Sequence, residues 1–545
     1  MATTTLTGTT GNDILNAPGS VTAEVVGLQG ADTITLTVKD DAALGGAGAD
    51  SITLAGVSSV ENTISAGSGN DTIFVNTAST TIGGSLGLND GDDLFNNSSV
   101  QVIGASIGGN AGADTITLLA NVTNTAVGGG KNADDLNFSA GTFTTSTVNG
   151  GAGADTITMN AGTFNISTIQ SGDGHDRIAA SAATFGTAIV GLGKGLDSIA
   201  LGAQSTLTVA GGSGADTVNL VGAFAGGGIF GDGLGQTVSS AGGGGNDLIG
   251  STGTTFGEVA AISIYGASGA DTIRFNSGST GFAFIVDGGF GADLIGASAA
   301  GMGFSASTLA GGDGNDTIVL NEMATQGGSV ILGGAGTDSI ALFTQAGVSG
   351  SINGGAGADT INMASGLLGF NQTALATING GAGADVIRFS VASGGIQTLT
   401  SLTAGNITGQ TAYHGAIVYE AGDIIQYNNT AISTTGAAWT GAGGQILIVT
   451  SITALTISAA ANGANYSAQS AGSISVFSDG TDTYFFINAN SNSATFNFIV
   501  TGADLTITTA VGLVNEGSSN FGFTVDAVSG TAGNAAASGV QITLL

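Results

Sequence analysis

Residues 150–170 read GGAGADTITMNAGTFNISTIQ, and the octet at their head, GGAGADTI, returns unchanged at 354–361. Near copies stand at 45–52 (GGAGADSI) and 380–387 (GGAGADVI). The glycines open a turn that needs positive φ and close backbone approach. After Asp155, Ile157 and Met159 alternate with Thr156 and Thr158, the period of a half-buried strand. Asn160, Ala161 and Gly162 make a second turn, after which Phe164, Ile166 and Thr168 continue the alternation. The stretch therefore predicts two short strands and two turns per unit, with an acid on one turn only. Glycine, β-branched residues and period 2 all disfavour helix.

Aligned on this step, the motif aspartates are Asp13, Asp32, Asp50, Asp71, Asp93, Asp114, Asp134, Asp155, Asp176, Asp197, Asp216, Asp247, Asp271, Asp293, Asp316, Asp338, Asp359 and Asp385. Their commonest spacing is 21 residues, with one long gap of 31 between Asp216 and Asp247. A fixed period on this scale marks a solenoid, in which each coil buries its apolar side chains only against its neighbours. The long gap contains GGGIFGDGLGQTVSSAGGGG and reads as a loop extruded from one coil. The octet fades after Asp385, while Trp439 and five of the six tyrosines lie beyond residue 400. Two regions are expected: a solenoid over 1–399 and a non-repetitive C-terminal β domain over 400–545.

Composition narrows the function. With 38 Asp plus Glu against 6 Lys plus Arg, the formal net charge is −32. Nucleic acid is an unsuitable partner, because neutralising phosphates needs basic side chains. The 42% hydrophobic content supplies a core, which argues against disorder. No membrane span is expected, since no apolar run of sufficient length occurs. The opening residues, MATTTLTGTT, lack the basic and apolar regions of a secretory signal peptide. The absence of Cys removes thiolate metal sites and disulfides. Catalysis finds little support: His175 and His414 are not in a metalloprotease pattern, and His175 sits in a repeat turn as a solvated residue. GGSLG at 83–87 matches the nucleophile-elbow spacing only as chance allows in so Gly-rich a chain. No enzyme activity is expected.

Stacked coils place the aspartates in a column at about 4.8 Å spacing. Neighbouring carboxylates repel by about 1 kcal/mol even in a water-like dielectric, and by more near the protein. The six basic residues are too few to compensate. The donors on hand are carboxylates and the carbonyls of Gly-rich turns, an all-oxygen set that suits Ca²⁺ better than Zn²⁺ or Cu²⁺. The alternative is that each Asp caps only its own turn.

GGAGADTIT and GGDGNDTIV (311–319) resemble the nonapeptide G-G-x-G-x-D-x-U-x of RTX calcium-binding repeats, over roughly residues 8–390. The resemblance implies an all-β, right-handed parallel β-roll or β-solenoid with several Ca²⁺ ions between successive turns. It also implies that the eighteen aspartates above are the metal ligands. Family coils usually carry two nonapeptides, whereas these carry one in about 21 residues, so calcium is expected along one edge. Imperfect turns such as GLNDGDDLF (87–95) and GGKNADDLN (129–137) are expected to bind weakly or not at all.

GDIIQYNN (422–429), FSDGTDTYFFIN (477–488) and TGADLTITTA (501–510) resemble the C-terminal regions of RTX surface proteins exported by type I secretion, including S-layer proteins. That resemblance implies a C-terminal cap or assembly domain bearing an export signal, and an extracellular or cell-surface location reached without an N-terminal signal peptide. The function expected is a structural subunit that self-assembles with calcium into a sheet or filament, with cell-envelope polysaccharide as a possible contact. The first coil opens at Gly8 without an obvious cap, which leaves an edge strand for another chain. A calcium-stabilised adhesin or a glycan- or ice-binding module is the rival, resting on outward threonine pairs such as Thr33 and Thr35. A non-catalytic part of a polysaccharide-modifying enzyme comes third.

Overall fold

The computed structural model describes residues 4–391 except 20–21, 38–40, 56–57, 77–80, 139, 160, 166, 203, 205, 222–223, 225, 234–243, 251–258, 261, 276–279, 298–302, 321–327, 343–349 and 364–375. Beyond 391 it describes nine strands within 416–544. Every regular element among the described residues is a strand. The chain divides into two compact units, Met1–Thr272 and Ile273–Leu545.

In the first unit the strands form two parallel ladders, each advancing by one coil. On one ladder Thr147–Ala152 pairs with Thr168–Asp173, and Val148 sits opposite Ile169, which sits opposite Val190. On the other, Thr156–Thr158 pairs with Arg177–Ala180, and Ile157 sits opposite Ile178. Because the register shift equals the sequence period, like stacks on like. One such line runs from Ile34 through Ile52, Ile73, Phe95 and Ile116 to Ile157, every member fully buried. Each of these side chains stabilises the coil by roughly 1.5–3 kcal/mol relative to exposure, an amount no single 21-residue unit could realise without a neighbour to cover it.

The coil is more finely divided than its alternation suggests. The expected second strand is two strands, Thr163–Asn165 and Thr168–Asp173, separated by a corner. The same corner stands one and two coils earlier, where Thr145 (φ 53°) and Asn124 (φ 50°) adopt left-handed backbone. The residue after each is a buried hydroxyl. Thr125, Ser146 and Ser167 donate to the carbonyl two residues back at 3.0–3.1 Å, and two of these carbonyls, Thr144 and Asn165, also accept a backbone N–H from the preceding coil. The corner also changes the parity of burial: Phe164 points inward, then Ser167 and Ile169. Continuous alternation had placed Ile166 in this series; it lies outside the described residues.

At the other end of the coil the glycines of the octet take left-handed backbone, which Leu28, Asn89 and Asn110 also adopt at the matching position of other coils. Gly151 and Gly153 have φ of 117° and 148°. A Cβ on either would collide with a carbonyl of the preceding coil, Gly130 or Asn132.

The second unit repeats the plan. Ile285–Phe290, Thr308–Asp313, Ser329–Ala335, Gly350–Ala356 and Ala376–Ala382 form one parallel ladder. Leu294–Ala297, Thr317–Leu320, Ser339–Leu342, Thr360–Met363 and Val386–Val391 form the other. Both extend past residue 400, through Ala416–Val418 and Ile424–Asn429. Antiparallel pairing then enters: Gly539–Leu544 lies against Ile424–Asn429 and Phe523–Val528, and Thr483–Ile487 joins Ile474–Ser478 to Phe496–Val500. The rest of 400–545, where the assembly and export signals were expected, lies outside the described residues. No helix among the described residues is long and apolar enough to cross a membrane.

Candidate metal centre

The turn between the two ladders carries the aspartates inward. Asp155 follows the glycine turn and is 1% exposed. Its carbonyl accepts the Arg177 N–H of the next coil at 2.8 Å, so the backbone ladder starts at this residue. Its own N–H donates to Asp176 Oδ1 at 2.8 Å, and its Oδ1 accepts the Asp134 N–H at 2.8 Å.

The pattern repeats without a break. In the first unit every aspartate from Asp13 to Asp247 donates its N–H to Oδ1 of the next, ending on Asp271, at 2.6–2.9 Å. In the second unit Asp293, Asp316, Asp338 and Asp359 do the same, ending on Asp385, each at 2.8 Å. The imperfect turns do not interrupt it, since Asp93 and Asp134 hold their places. Nor does the 31-residue gap, which is crossed by Asp216 N–H to Asp247 Oδ1 at 2.7 Å. All eighteen predicted positions thus belong to one of two columns. Local capping is not what Oδ1 does; its partner comes from the adjacent coil. Asp13 adds a local partner, its Oδ2 accepting the Thr9 N–H at 2.6 Å and the Thr9 hydroxyl at 2.9 Å.

The second carboxylate oxygen is left over. Oδ2 of Asp50, Asp71, Asp114, Asp134, Asp155, Asp197, Asp316, Asp338 and Asp359 is buried with no hydrogen-bond partner, and burying a charged oxygen this way is expensive. Burial is accordingly the largest influence on these groups. It pushes the carboxyls up, helped by neighbouring aspartates and opposed by the backbone N–H each accepts. Asp71, Asp134 and Asp197 rise to about 7, and Asp114, Asp155, Asp316, Asp338 and Asp359 to about 6. Near neutral pH the column therefore needs protons or a cation.

The donor set fits a hard cation. Gly150 can have no Cβ, because Asp155 Oδ2 and the Ser171 carbonyl oxygen of the next coil both press on that space. The same pairing surrounds Gly45 (Asp50 Oδ2, Ala66 O), Gly333 (Asp338 Oδ2, Gly354 O) and Gly354 (Asp359 Oδ2, Gly380 O). Each turn thus draws a carboxylate oxygen and a neighbouring-coil carbonyl together, the oxygen donors Ca²⁺ prefers. Among the described residues no three carboxylate or imidazole groups form a metal cluster, so an ion here would rely on backbone carbonyls beside the carboxylates.

A second, exposed column flanks the first and escaped the reading by composition. The residue before each motif Asp accepts an N–H from the next coil wherever its side chain allows. Asn12 takes Ala31 N–H, Asn246 takes Ala270 N–H and Asn315 takes Thr337 N–H, each at 2.8 Å. His175 does the same, its Nδ1 accepting the Leu196 N–H at 2.8 Å; it is exposed, as expected, but acts as a cap between coils. His175→Asn is therefore expected to leave thermal stability within about 0.5 kcal/mol of wild type, while His175→Ala costs about 0.5–1.5 kcal/mol, a difference that melting at fixed calcium would read. The signal was present in the sequence, as Asn, Asp or His directly preceding the motif aspartate.

Asp232 was also missed. It is 3% exposed and stands at a motif glycine position inside the long gap.

The family described as RTX calcium-binding nonapeptide repeat (4 copies) matches residues 26–56, 61–77, 141–163, 303–322, 351–366 and 377–389. Those stretches contain Asp32, Asp50, Asp71, Asp155, Asp316, Asp359 and Asp385, and the remaining aspartates occupy the same columns by hydrogen bonding. No curated protein matches the chain. The repeat, its parallel β-solenoid and its family match agree: the chain carries RTX calcium-binding nonapeptide repeats.

Proposed function

We propose that this is a secreted structural protein whose solenoid folds on binding calcium outside the cell, and that the folded chain is a subunit of a cell-surface array of the S-layer type. The RTX repeats support the coarser part, since they are calcium-binding units typical of secreted proteins. The observation that carries the reading is the buried Oδ2 left without a partner at turn after turn. Calcium, when bound, supplies the positive charge the columns lack. The chain's part is to hold the oxygens: in the stacked coils Oδ1 is fixed by the N–H of the preceding coil, which leaves Oδ2 for an ion. We assign the eighteen motif aspartates as the calcium ligands.

The physiological consequence is a switch. Where calcium is scarce, the columns' like charges oppose stacking and the chain stays extended enough to be exported. Where calcium is abundant, each occupied site at 100 times its Kd adds about 2.7 kcal/mol to the folded state. Array formation then follows from acidic, calcium-folded solenoid units that calcium can also bridge to their neighbours, with residues 400–545 as the assembly or envelope-attachment region. Ligand binding by the outward threonines has less support, because Phe74 and Leu94 interrupt those rows at 41% and 37% exposure.

Asp155→Asn keeps an Oδ1 acceptor for the Asp134 N–H but removes the charge. The variant is expected to bind fewer calcium ions per chain and to shift the calcium titration of β-sheet circular dichroism to higher concentration, with a shallower slope. A titration superimposable on wild type would remove Asp155 from the ligand set. For the array, electron microscopy of the purified chain with EGTA and then with millimolar calcium is expected to show ordered sheets or filaments only in the second; a dispersed, folded monomer would move the function to adhesion.

A further inference from the structure

The extruded loop leaves the solenoid at one position of the nonapeptide. Gly227–Phe230 pairs with Leu207–Ser213 so that Phe230 lies opposite Ala210. Gly231 and Asp232 then fall in register with Gly211 and Gly212, the two glycines that open the preceding turn. The coil resumes at Gly244, which bridges Gly214, and closes on Asp247. Asp232 thus replaces the second motif glycine at the mouth of the insertion, outside the register of the repeated acids.

Its side chain is turned into the protein. Oδ2 accepts the Ser268 hydroxyl at 2.7 Å and the Ser268 N–H at 3.1 Å. Oδ1 is buried and has no partner, in a side chain only 3% exposed. Asp232 faces the column from the side: its charge acts on Asp216, Asp247 and Asp271. Asp247 Oδ2 is likewise buried and unpartnered. The Gly266 carbonyl and Asp247 Oδ2 both press on Gly231, and the Ser268 carbonyl, the Ser268 hydroxyl and Asp232 Oδ2 press on Gly244. Two orphaned carboxylate oxygens, a hydroxyl and two carbonyls therefore border the opened turn.

We propose that Asp232 is a ligand for an additional divalent cation, held at the opened coil by Asp232 and Asp247 with the surrounding carbonyl and hydroxyl oxygens. The proposal rests on the reading of the columns as calcium-binding and extends it to a residue outside the nonapeptide pattern. It gives the insertion a role, which is to admit a carboxylate at a position that the nonapeptide pattern gives to glycine. Hard oxygen donors without nitrogen or sulfur point to calcium rather than a transition metal.

The test counts calcium per folded full-length chain, by elemental analysis after gel filtration in calcium, for wild type and for Asp232→Asn, Asp232→Gly and Asp155→Asn. Asp232→Asn retains the Ser268 contacts, and Asp232→Gly restores the motif residue, so a folding failure in the first is covered by the second. The expected result is one ion fewer in either Asp232 variant with the β spectrum retained. Terbium gives a local readout, because Tyr265 is the one tyrosine of Met1–Thr272 and stacks on Phe230 at 5.3 Å. The emission lost on Tyr265→Phe defines its share, and Asp232→Asn is expected to remove more than half of that share. Full calcium occupancy and unchanged emission in the Asp232 variants, with a lower count in Asp155→Asn, would overturn this inference and leave the columns' role intact. Unchanged counts in all the variants would overturn both.

Discussion

Adding EGTA to the full-length chain at pH 8 is expected to abolish most of its β-sheet circular dichroism, and acidifying the calcium-free sample to pH 5 is expected to restore part of it. Asp71, Asp134 and Asp197 rise in the folded state to about 7 and Asp155 and Asp359 to about 6, because burial penalises their charge. In the unfolded chain they titrate near the ordinary value of about 3.9. Between those limits the folded state holds more protons, so its stability falls as pH rises through the folded values and returns as pH drops toward the unfolded one. Below about pH 4 both states are protonated and no further gain follows. Calcium reverses the dependence, because ligand carboxylates must be ionised; the calcium-loaded solenoid is expected to loosen on acidification to pH 5. A β spectrum indifferent to EGTA at pH 8 would mean that the column carries its charge by other means.

Phe164→Ala is expected to cost about 3–5 kcal/mol at saturating calcium, the largest effect of any single core substitution proposed. Phe164 is fully buried between Phe143 and Phe185, with ring centroids at 4.8 and 5.3 Å. It therefore loses two stacked contacts, each worth about 0.5–1.5 kcal/mol beyond area, as well as its own burial. Neighbouring coils cannot collapse into the gap, because their register is fixed by the strand pairs on either side. In a solenoid the stabilities of coils and interfaces add nearly locally, so the damage should centre on residues 142–185 and appear there first in hydrogen exchange. Phe164→Leu is expected to cost far less, and equal losses for the two variants would mean that the aromatic stack contributes nothing specific.

The parts of this fold that were legible are those that repeat. Asp155 and its seventeen counterparts share a period, and a period equal to the register shift makes stacking the only economical arrangement for Ile157 and its line. The strand after the acid was legible for the same reason. What Asp155 Oδ1 does was not, because its partner is an N–H in another coil, about 21 residues away, and no local pattern encodes it. The corner at Thr145 and Ser146 was hidden by alternation: a left-handed residue reverses the parity of burial without changing which residue types occur, although the hydroxyl column Thr125, Ser146 and Ser167 kept the period and marked it. Asp232 escaped because it stands where the motif has glycine, inside a stretch that reads as loop. Beyond residue 400 no repeat multiplies weak local signals into a strong one, and there the reading was correspondingly coarse.

The calcium content of the folded full-length chain, taken at pH 7.5 after gel filtration in millimolar calcium, decides most directly whether the buried columns are metal sites. Several ions per chain, lost together with the β spectrum on passage through EGTA, is the expected result. A chain that emerges calcium-free with its β spectrum intact would contradict it.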